Sequence, residues 1–162
     1  MHIIKIISGG QSGVDRSALD AAIASSIAYW GWCPKGGWAE DAPTPPGVLA
    51  QYPNLLETPG SHTEQRTEWN VRDSDAVLVL VDQRGAAISA GTLLAIEFAE
   101  QYGKPFLCLC LQDPARLGRA QEWLAKLESD RILNIAGPRE SEAPGIYGEA
   151  QRFLMDLLFV NA

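Results

Sequence analysis

The sequence predicts an α/β fold in which a doubly wound, mainly parallel sheet lies between two layers of helices. Strand-like and helix-like segments alternate along the chain, and this alternation is typical of such sheets. Two strand-like segments, AVLVLVD (76–82) and FLCLCL (106–111), are apolar almost throughout, as expected for parallel strands that helices cover on both faces. The length of 162 residues suits one domain with a substantial core, so we predict a single domain over residues 1–162.

The first strand, HIIKIIS (2–8), is short and apolar and leads into a glycine-rich turn. A helix over Val14–Ile27 follows, because its small residues recur at helical spacing and give it one smooth face. Segment 33–62 interrupts the alternation. It is rich in proline and glycine, and we interpret it as a long loop with one short strand near Leu55–Thr58. A loop of this length in a compact domain is usually either functional or disordered.

The second half of the chain repeats the alternation. Apolar residues recur at helical spacing over Ile88–Tyr102, and Gly103 ends this helix. The next helix covers 114–129, and ILNIAG (132–137) predicts a fourth long strand. A last helix carries one apolar stripe, which consists of Ile146, Ala150, Phe153, Leu154, Leu157 and Leu158.

Thirteen basic and twenty acidic residues give the chain a net charge of −7. This charge opposes binding to nucleic acids and anionic membranes, but local donors can still hold a small anion. The longest apolar run, Ala76–Val81, is too short to span a bilayer, and we expect no signal peptide. Three cysteines cannot all pair within the chain, which fits a reducing compartment. We therefore expect a cytoplasmic protein without a nucleic-acid or membrane partner.

The turn after the first strand, SGGQSG (8–13), is the first candidate ligand site. Ligands of parallel sheets bind at the carboxyl ends of the strands, and the glycines allow a close approach to the main chain. We predict that Ser12 caps the following helix, whose first amides and dipole attract an anion. The alternative is a tight turn without a ligand. The predicted ligand residues of this turn are Gly9, Gly10, Gln11, Ser12, Gly13 and Asp15.

Asp15 suits the positive end of the helix dipole, but its carboxylate would repel a phosphate. We therefore expect Asp15 to contact a hydroxyl, a ring N–H or a metal. The spacing of the turn is neither the full dinucleotide fingerprint nor a Walker A loop, so the turn alone does not identify the ligand.

The segment TEQRTEWNVRDSDA (63–76) predicts an unusually polar helix. Arg66, Asn70 and Asp73 recur at helical spacing and form one polar stripe. The stripe belongs either to an exposed connector or to a helix that faces a cleft. We favour the cleft, because the guanidinium of Arg66 matches the geometry of a phosphate-like oxyanion. Lys35, in CPKGG (33–37), is a second candidate cation.

Gly91 and Thr92 provide a second group of amides, together with a hydroxyl, at the start of the helix that follows strand 76–82. A Gly-Thr pair near a helix start is common, but two such loops on one edge of a sheet are more informative. After the last predicted strand, Arg139 and Ser141 either reach the same edge or belong to a solvated turn.

The histidines and cysteines predict neither a metal site nor a catalytic set. His2 and His62 have no metal-binding spacing, and no histidine lies near Cys108 and Cys110 in the sequence. We interpret Cys33 as a small buried residue, and Cys108 and Cys110 as core residues of a buried strand.

Five segments resemble the putative molybdenum carrier family: ISGGQSGVDRSALDAAI (7–23), CPKGGWAEDA (33–42), RTEWNVRDSDAVLVL (66–80), SAGT (89–92) and LNIAGPRES (133–141). This family is the circularly permuted YpsA-like branch of the SLOG superfamily of nucleotide-binding proteins. The resemblance implies a Rossmann-like fold, a homo-oligomer (dimer or tetramer) and a pocket for a small phosphorylated ligand. That ligand is a nucleotide or a pterin phosphate, with molybdenum cofactor (molybdopterin) as the named candidate. The matching positions are Gly9, Gly10, Ser12, Gly13, Asp15, Lys35, Gly36, Arg66, Thr67, Asn70, Gly91 and Thr92.

The SLOG superfamily also includes phosphoribohydrolases, which resemble one another in a PGGxGT loop followed closely by a catalytic glutamate. The segment here, ISAGTLLAIEF (88–98), lacks Pro-Gly-Gly, and its nearest glutamate, Glu97, comes five residues after Thr92. We therefore expect a binding protein that holds a phosphorylated heterocycle. The alternatives are a nucleotide-processing hydrolase or transferase with Asp15 or Glu97 as the acid/base, and a regulatory domain that senses a ligand through its oligomer.

Overall fold

The structure, a computed structural model, describes residues 3–128 and 130–161. These residues form one six-stranded sheet and five α-helices. The strands are β1 (Ile3–Ile7), β2 (Ala28–Cys33), β3 (Leu55–Glu57), β4 (Ala76–Val81), β5 (Phe106–Cys110) and β6 (Arg131–Ala136). The helices are α1 (Val14–Ala24), α2 (Thr63–Arg72), α3 (Ala90–Gln101), α4 (Arg116–Lys126) and α5 (Ile146–Asn161). Two predicted element ends, His2 and Ser129, lie outside the described residues.

All strand pairs of the sheet are parallel, and the strand order is β3-β2-β1-β6-β4-β5. The chain runs outward from β1 to β3 and then crosses to β4 on the other side, so the winding reverses next to β6. In doubly wound sheets this reversal opens a crevice at the carboxyl ends of the strands. Asn134 of β6 lies at the centre of the sheet, opposite Ile7 of β1 and Val77 of β4.

Helices cover both faces of the sheet, which confirms the predicted three-layer α/β fold. The strand β4 shows this directly, because alternate residues of a strand point to opposite faces. Leu78 and Leu80 belong to a buried cluster with α1, α4 and α5, whereas Val77 and Val79 belong to a cluster with α2 and α3. No helix in the described part of the chain is long and apolar enough to cross a bilayer.

The strand β2 is absent from the elements that the sequence predicts. Its residues, AYWGWC, are mostly half-buried, so they form neither an alternating pattern nor a continuous apolar run. Gly31 also interrupts the run of large apolar residues in this segment. A Cβ atom at Gly31 would lie 2.0 Å from the carbonyl oxygen of Ser8, so only glycine lets β2 pass this close to the end of β1. The predicted short strand near 55–58 is confirmed as β3.

The long segment 33–62 is packed rather than extended over the surface. Single 3-10 turns occur at Lys35–Gly37 and Gly47–Ala50. The segment also contributes to a buried apolar cluster that consists of Leu19, Cys33, Ala39, Val48, Tyr52 and Leu55. Cys33 is therefore a buried core residue, as predicted. The prediction for Cys108 is wrong, because β5 is an edge strand and this thiol is exposed.

Replacing Gly13 by alanine is expected to destabilise the fold by about 2–4 kcal/mol. Gly13 has φ +77°, and a Cβ atom there would lie 2.4 Å from the carbonyl oxygen of Pro138, which belongs to the main chain and cannot move easily. The matched control is Gly118→Ala in the exposed part of α4, where an added Cβ meets nothing within 4 Å. This control should stabilise the protein by about 0.5–1 kcal/mol. Thermal unfolding measures the stability of both variants. Equal stability of Gly13→Ala and Gly118→Ala would contradict the close packing around Gly13.

Candidate functional site

A cavity of about 160 Å³ lies at the crevice where the winding of the sheet reverses. The turn after β1, the inner face of α2, the first turn of α3, and β6 with the loop after it all contribute to its wall. Eight of the predicted ligand residues line it: Gly9, Gln11, Asp15, Arg66, Thr67, Asn70, Gly91 and Thr92. The structure therefore brings the first glycine turn and the start of α3 to one place.

Arg66 is the most deeply buried cation of this wall. Its side chain, on α2, is only 8% exposed. The Nη1 group donates a hydrogen bond to the carbonyl oxygen of Gly9 at 3.0 Å and lies 3.6 Å from Oδ2 of Asp15. A Cβ atom on Gly9 would lie 2.5 Å from Cδ of Arg66, so the absence of a side chain at Gly9 makes room for the arginine of the protein itself.

Two of the three members of the polar stripe predicted for α2 face this cavity, whereas the third, Asp73, lies at the end of the helix and accepts a hydrogen bond from the indole of Trp32. Arg66 and Asn70 are both buried on the cavity side of the helix. The amide of Asn70 also bonds to β2: Oδ1 accepts from the amide of Trp32, and Nδ2 donates to the carbonyl oxygen of Trp32. Asn70 therefore ties α2 to the neighbouring strand, and these two bonds use half of the hydrogen-bonding capacity of its amide.

Burial raises the pKa of Asp15 to about 6, although the nearby Arg66 guanidinium and the amide of Gln11 act in the opposite direction. Burial also lowers the pKa of Arg66, which the negative charge of Asp15 partly opposes. An arginine begins from so high a pKa that it stays a cation under these conditions. Near neutral pH, the pair therefore has a permanent positive charge and a negative charge that is lost on mild acidification.

Two polar side chains in the wall have groups without a partner. Asn134 is only 3% exposed as a residue and lines the cavity, and its side-chain amide makes no hydrogen bond to any residue that the structure describes. Nε2 of Gln11 is fully buried and has no partner among the described residues, while Oε1 of Gln11 accepts from the amides of Ser12 and Glu40. An unsatisfied buried polar group costs about 1–3 kcal/mol, so Nε2 of Gln11 is suited to a polar ligand.

The start of α3 provides main-chain donors. Ser89 caps the helix by accepting a hydrogen bond from the amide of Thr92, and Oγ1 of Thr92 donates to the same hydroxyl oxygen at 2.8 Å. The amides of Ala90 and Gly91 have no hydrogen-bond partner among the described residues, and both residues line the cavity. Helix amides of this kind, together with the helix dipole, favour an anion.

Three amides of the first glycine turn are already used within the protein. The amides of Gly10, Gln11 and Ser12 donate to side-chain oxygens of the same turn and of Asp15, and the amide of Val14 donates to the carbonyl oxygen of Pro138. The predicted cap is also wrong, because Gly13 occupies the N-cap position of α1 and no side chain caps it. The hydroxyl of Ser12 instead donates to Glu40 and accepts from the amide of Glu140.

Five predicted ligand residues lie outside the cavity. Gly10 packs against Leu55 and Val48, and Gly13 packs against the main chain after Pro138. Ser12 makes the internal contacts described above. Lys35 and Gly36 line a separate hollow beside the cavity.

Sequence reasoning missed several residues of the wall. Of the two residues considered after β6, Arg139 reaches the cavity, whereas Ser141 bonds to Glu40 outside it. Asn134 was not a candidate, although it is the one polar residue inside the apolar run ILNIAG, and that exception was a usable signal. Thr63, Ser89 and Glu142 complete the polar lining.

The model of the circularly permutated YpsA SLOG family matches residues 6–158. The chain belongs to this family. It is also similar to a protein of known structure, a putative molybdenum carrier protein from Syntrophus aciditrophicus SB whose crystal structure has a resolution of 1.45 Å. The two sequences are 40% identical, the match covers 96% of this chain and 94% of the other, and the TM-score is 0.83. No curated protein matches the chain.

The family relationship confirms the resemblance seen in the sequence. Among the described residues, no three histidine, cysteine, aspartate or glutamate side chains are grouped to hold a metal ion. The donors of this SLOG cavity are instead guanidinium, amide and hydroxyl groups, which suit an oxyanion and the polar edge of a ring.

We expect the affinity of the cavity for sulfate to rise by up to about tenfold as the pH falls through about 6, because Asp15 then takes up a proton and its repulsion of the anion is lost. The guanidinium groups of Arg66, Arg16 and Arg139 act on the pKa of Asp15 in the direction opposite to burial. Sulfate keeps the same charge over this range, so the ligand contributes no titration of its own. Titration calorimetry of the Asp15→Asn variant should show a nearly flat pH profile. An equally steep profile in this variant would show that another group is responsible.

Proposed function

We propose that the chain is a binding protein for a small phosphorylated heterocycle, either a nucleotide or a pterin phosphate. One observation carries the proposal: the guanidinium of Arg66, almost completely buried, lines a cavity that also receives the unbonded amides at the start of α3. A buried cation and a helix N-terminus that converge on one space form a strong oxyanion site.

The hydrogen bonds of Arg66 leave part of its donor capacity free. Nη1 bonds to Gly9, and Nε makes a long contact of 3.4 Å to the carbonyl oxygen of Thr63. Nη2 has no hydrogen-bond partner in the part of the chain that the structure describes, so it is available to a phosphate oxygen. Arg139 adds a second, less buried cation to the same wall. We therefore assign the phosphate group to the space between Arg66 and Gly91.

The size and lining of the cavity support a ligand that is larger than the phosphate alone. Sites for small organic ligands usually enclose about 300–1,000 Å³, whereas this cavity measures about 160 Å³. The enclosed part thus suits a phosphate and its neighbouring atoms, and the rest of the ligand extends beyond it. Asn134 and Gln11 offer amide groups to the hydroxyls or the polar edge of that ligand.

Molybdenum cofactor is the named candidate within this ligand class. The support is the family relationship and the similarity to the solved protein named as a molybdenum carrier. The donors of the cavity fit the phosphate of a pterin cofactor and the polar atoms next to it, and they would hold those parts. A bare molybdenum ion is a different case, because the described side chains form no metal-ligating group.

Arg66→Ala should weaken binding of GMP by about 10- to 150-fold, which corresponds to roughly 1.5–3 kcal/mol for a hydrogen bond to a charged group. GMP is the probe because guanine shares its amino-oxo-pyrimidine edge with pterin. The matched control is Arg72→Ala, because Arg72 lies on the same helix and pairs with Asp73 outside the cavity. Titration calorimetry should find the control unchanged. Equal affinities of wild type and Arg66→Ala would remove Arg66 from the site, provided that thermal unfolding shows the variant to be folded.

A second candidate function is a hydrolase or transferase that acts on a nucleotide, and Asp15 favours it. Asp15 lies in the cavity with a pKa of about 6, which suits a group that donates and accepts protons near neutral pH. The other proposed acid/base, Glu97, is exposed and is not part of the cavity wall.

Incubation with nucleoside monophosphates distinguishes the enzyme from the binding protein. The binding proposal predicts that chromatography detects no free base above a protein-free control. Release of base by wild type that is lost in Asp15→Asn would favour the enzyme. Self-association as a dimer or tetramer stays a prediction from the resemblance. A ligand-sensing regulatory domain would change its oligomeric state when the ligand binds, and it would show no turnover.

A further inference from the structure

We propose that the heterocyclic ring of the ligand lies on the indole of Trp38, in the hollow that adjoins the cavity. This inference rests on the proposed function, because it takes the phosphate as bound near Arg66. The ring subsite lies mainly in segment 33–62, which contributes no residue to the wall of the cavity.

The hollow measures about 410 Å³ and has the lining that a planar ring requires. Trp38, Pro43 and Pro45 form flat apolar walls, while Lys35 and His62 add polar groups. Aromatic and proline surfaces of this kind bind planar rings by stacking and by removing their faces from water.

The hollow and the cavity share part of their walls. Thr63, the first residue of α2, lines both. Arg139 lines the cavity, and its guanidinium carbon lies 5.7 Å from the centre of the Trp38 ring, which lines the hollow. A ligand anchored by its phosphate at Arg66 therefore reaches Trp38 by passing Thr63.

Hydrogen bonds within the protein hold the segment that forms the hollow. The amide of Lys35 donates to the carbonyl oxygen of Gly60, and the amide of Gly36 donates to Oε1 of Glu57. Glu40, two residues after Trp38, accepts hydrogen bonds from the hydroxyls of Ser12 and Ser141. Burial alone would raise the pKa of Glu40, but these hydrogen bonds hold it below its ordinary value, so Glu40 stays an ionised clamp. Little conformational entropy then remains to be lost on binding.

The charges decide which end of the ligand occupies which space. The ammonium group of Lys35 forms no ion pair or hydrogen bond with any described residue, and the side chain is exposed. Such a group suits a ring carbonyl or a further anionic group. The more strongly desolvated cation, Arg66, lies in the cavity, where a phosphate gains most from a charged partner. The phosphate therefore belongs in the cavity and the ring in the hollow.

The test compares two probes, GMP and ribose 5-phosphate, by titration calorimetry. They share the phosphate and the sugar, and GMP alone has the ring. Wild type should bind GMP at least about tenfold more tightly, given the usual contribution of a stacked base. Trp38→Leu should remove most of this preference and change the affinity for ribose 5-phosphate less than about twofold. Trp38→Phe keeps an aromatic face and should retain the preference.

Lys35→Ala provides a second test that does not depend on the packing of Trp38, because Lys35 is exposed. This variant should weaken the binding of GMP several-fold more than the binding of ribose 5-phosphate. The matched control is Lys126→Ala on α4, which removes the same charge far from both spaces and should change neither affinity.

The outcomes separate the ring subsite from the proposed function. If wild type binds both probes equally, or if Trp38→Leu weakens both equally, the ring subsite is wrong while the phosphate site stands. If wild type binds neither probe, the proposed function itself is wrong, and the ring subsite fails with it.

Discussion

The guanidinium of Arg66 lies against the main chain of Gly9, and this contact joins the two sides of the site. Arg66 comes from α2 on one face of the sheet, whereas Gly9 follows β1 and Asp15 belongs to α1 on the other face. A buried cation is stable only with acceptors around it, and the carbonyl oxygens of Gly9 and Thr63 and the carboxylate of Asp15 provide them. These contacts use Nη1 and Nε of Arg66, so Nη2 is left for the cavity.

Because of this contact, the glycine-rich turn has a different role from the one that its sequence suggests. In many nucleotide-binding folds such turns offer free amides to a phosphate. Here the amides of Gly10, Gln11 and Ser12 are bonded internally, and Gly9 gives its space to Arg66. Under the proposed function, the amides that bind the anion come from the first turn of α3. The turn therefore acts by positioning a side chain, and a substitution of Gly9 would act on Arg66 before it acted on any ligand.

Much of this architecture was predictable from local pattern, and the rest was not. The apolar strand β4 and the long helices follow from period and composition, since burial of β4 on both faces leaves a clear signal. The composition also predicts β5, although this edge strand is only partly buried. The strand β2 was not predicted, because the burial of its aromatic residues depends on neighbours that are distant in the sequence. The same limit applies to the site. Arg66, Gly91 and Thr92 were found from residue type, whereas the engagement of Asn70 with Trp32 and the placement of Lys35 beside the cavity depend on tertiary packing alone.

The most direct measurement is a crystal structure of the protein with ribose 5-phosphate, compared with a structure from a ligand-free crystal of the same form. The account predicts phosphate density within hydrogen-bond distance of the Arg66 guanidinium and the amide of Gly91, with Arg66 still bonded to Gly9. Phosphate density at the amides of Gly10 to Gly13, with Arg66 moved away from Gly9, would contradict it.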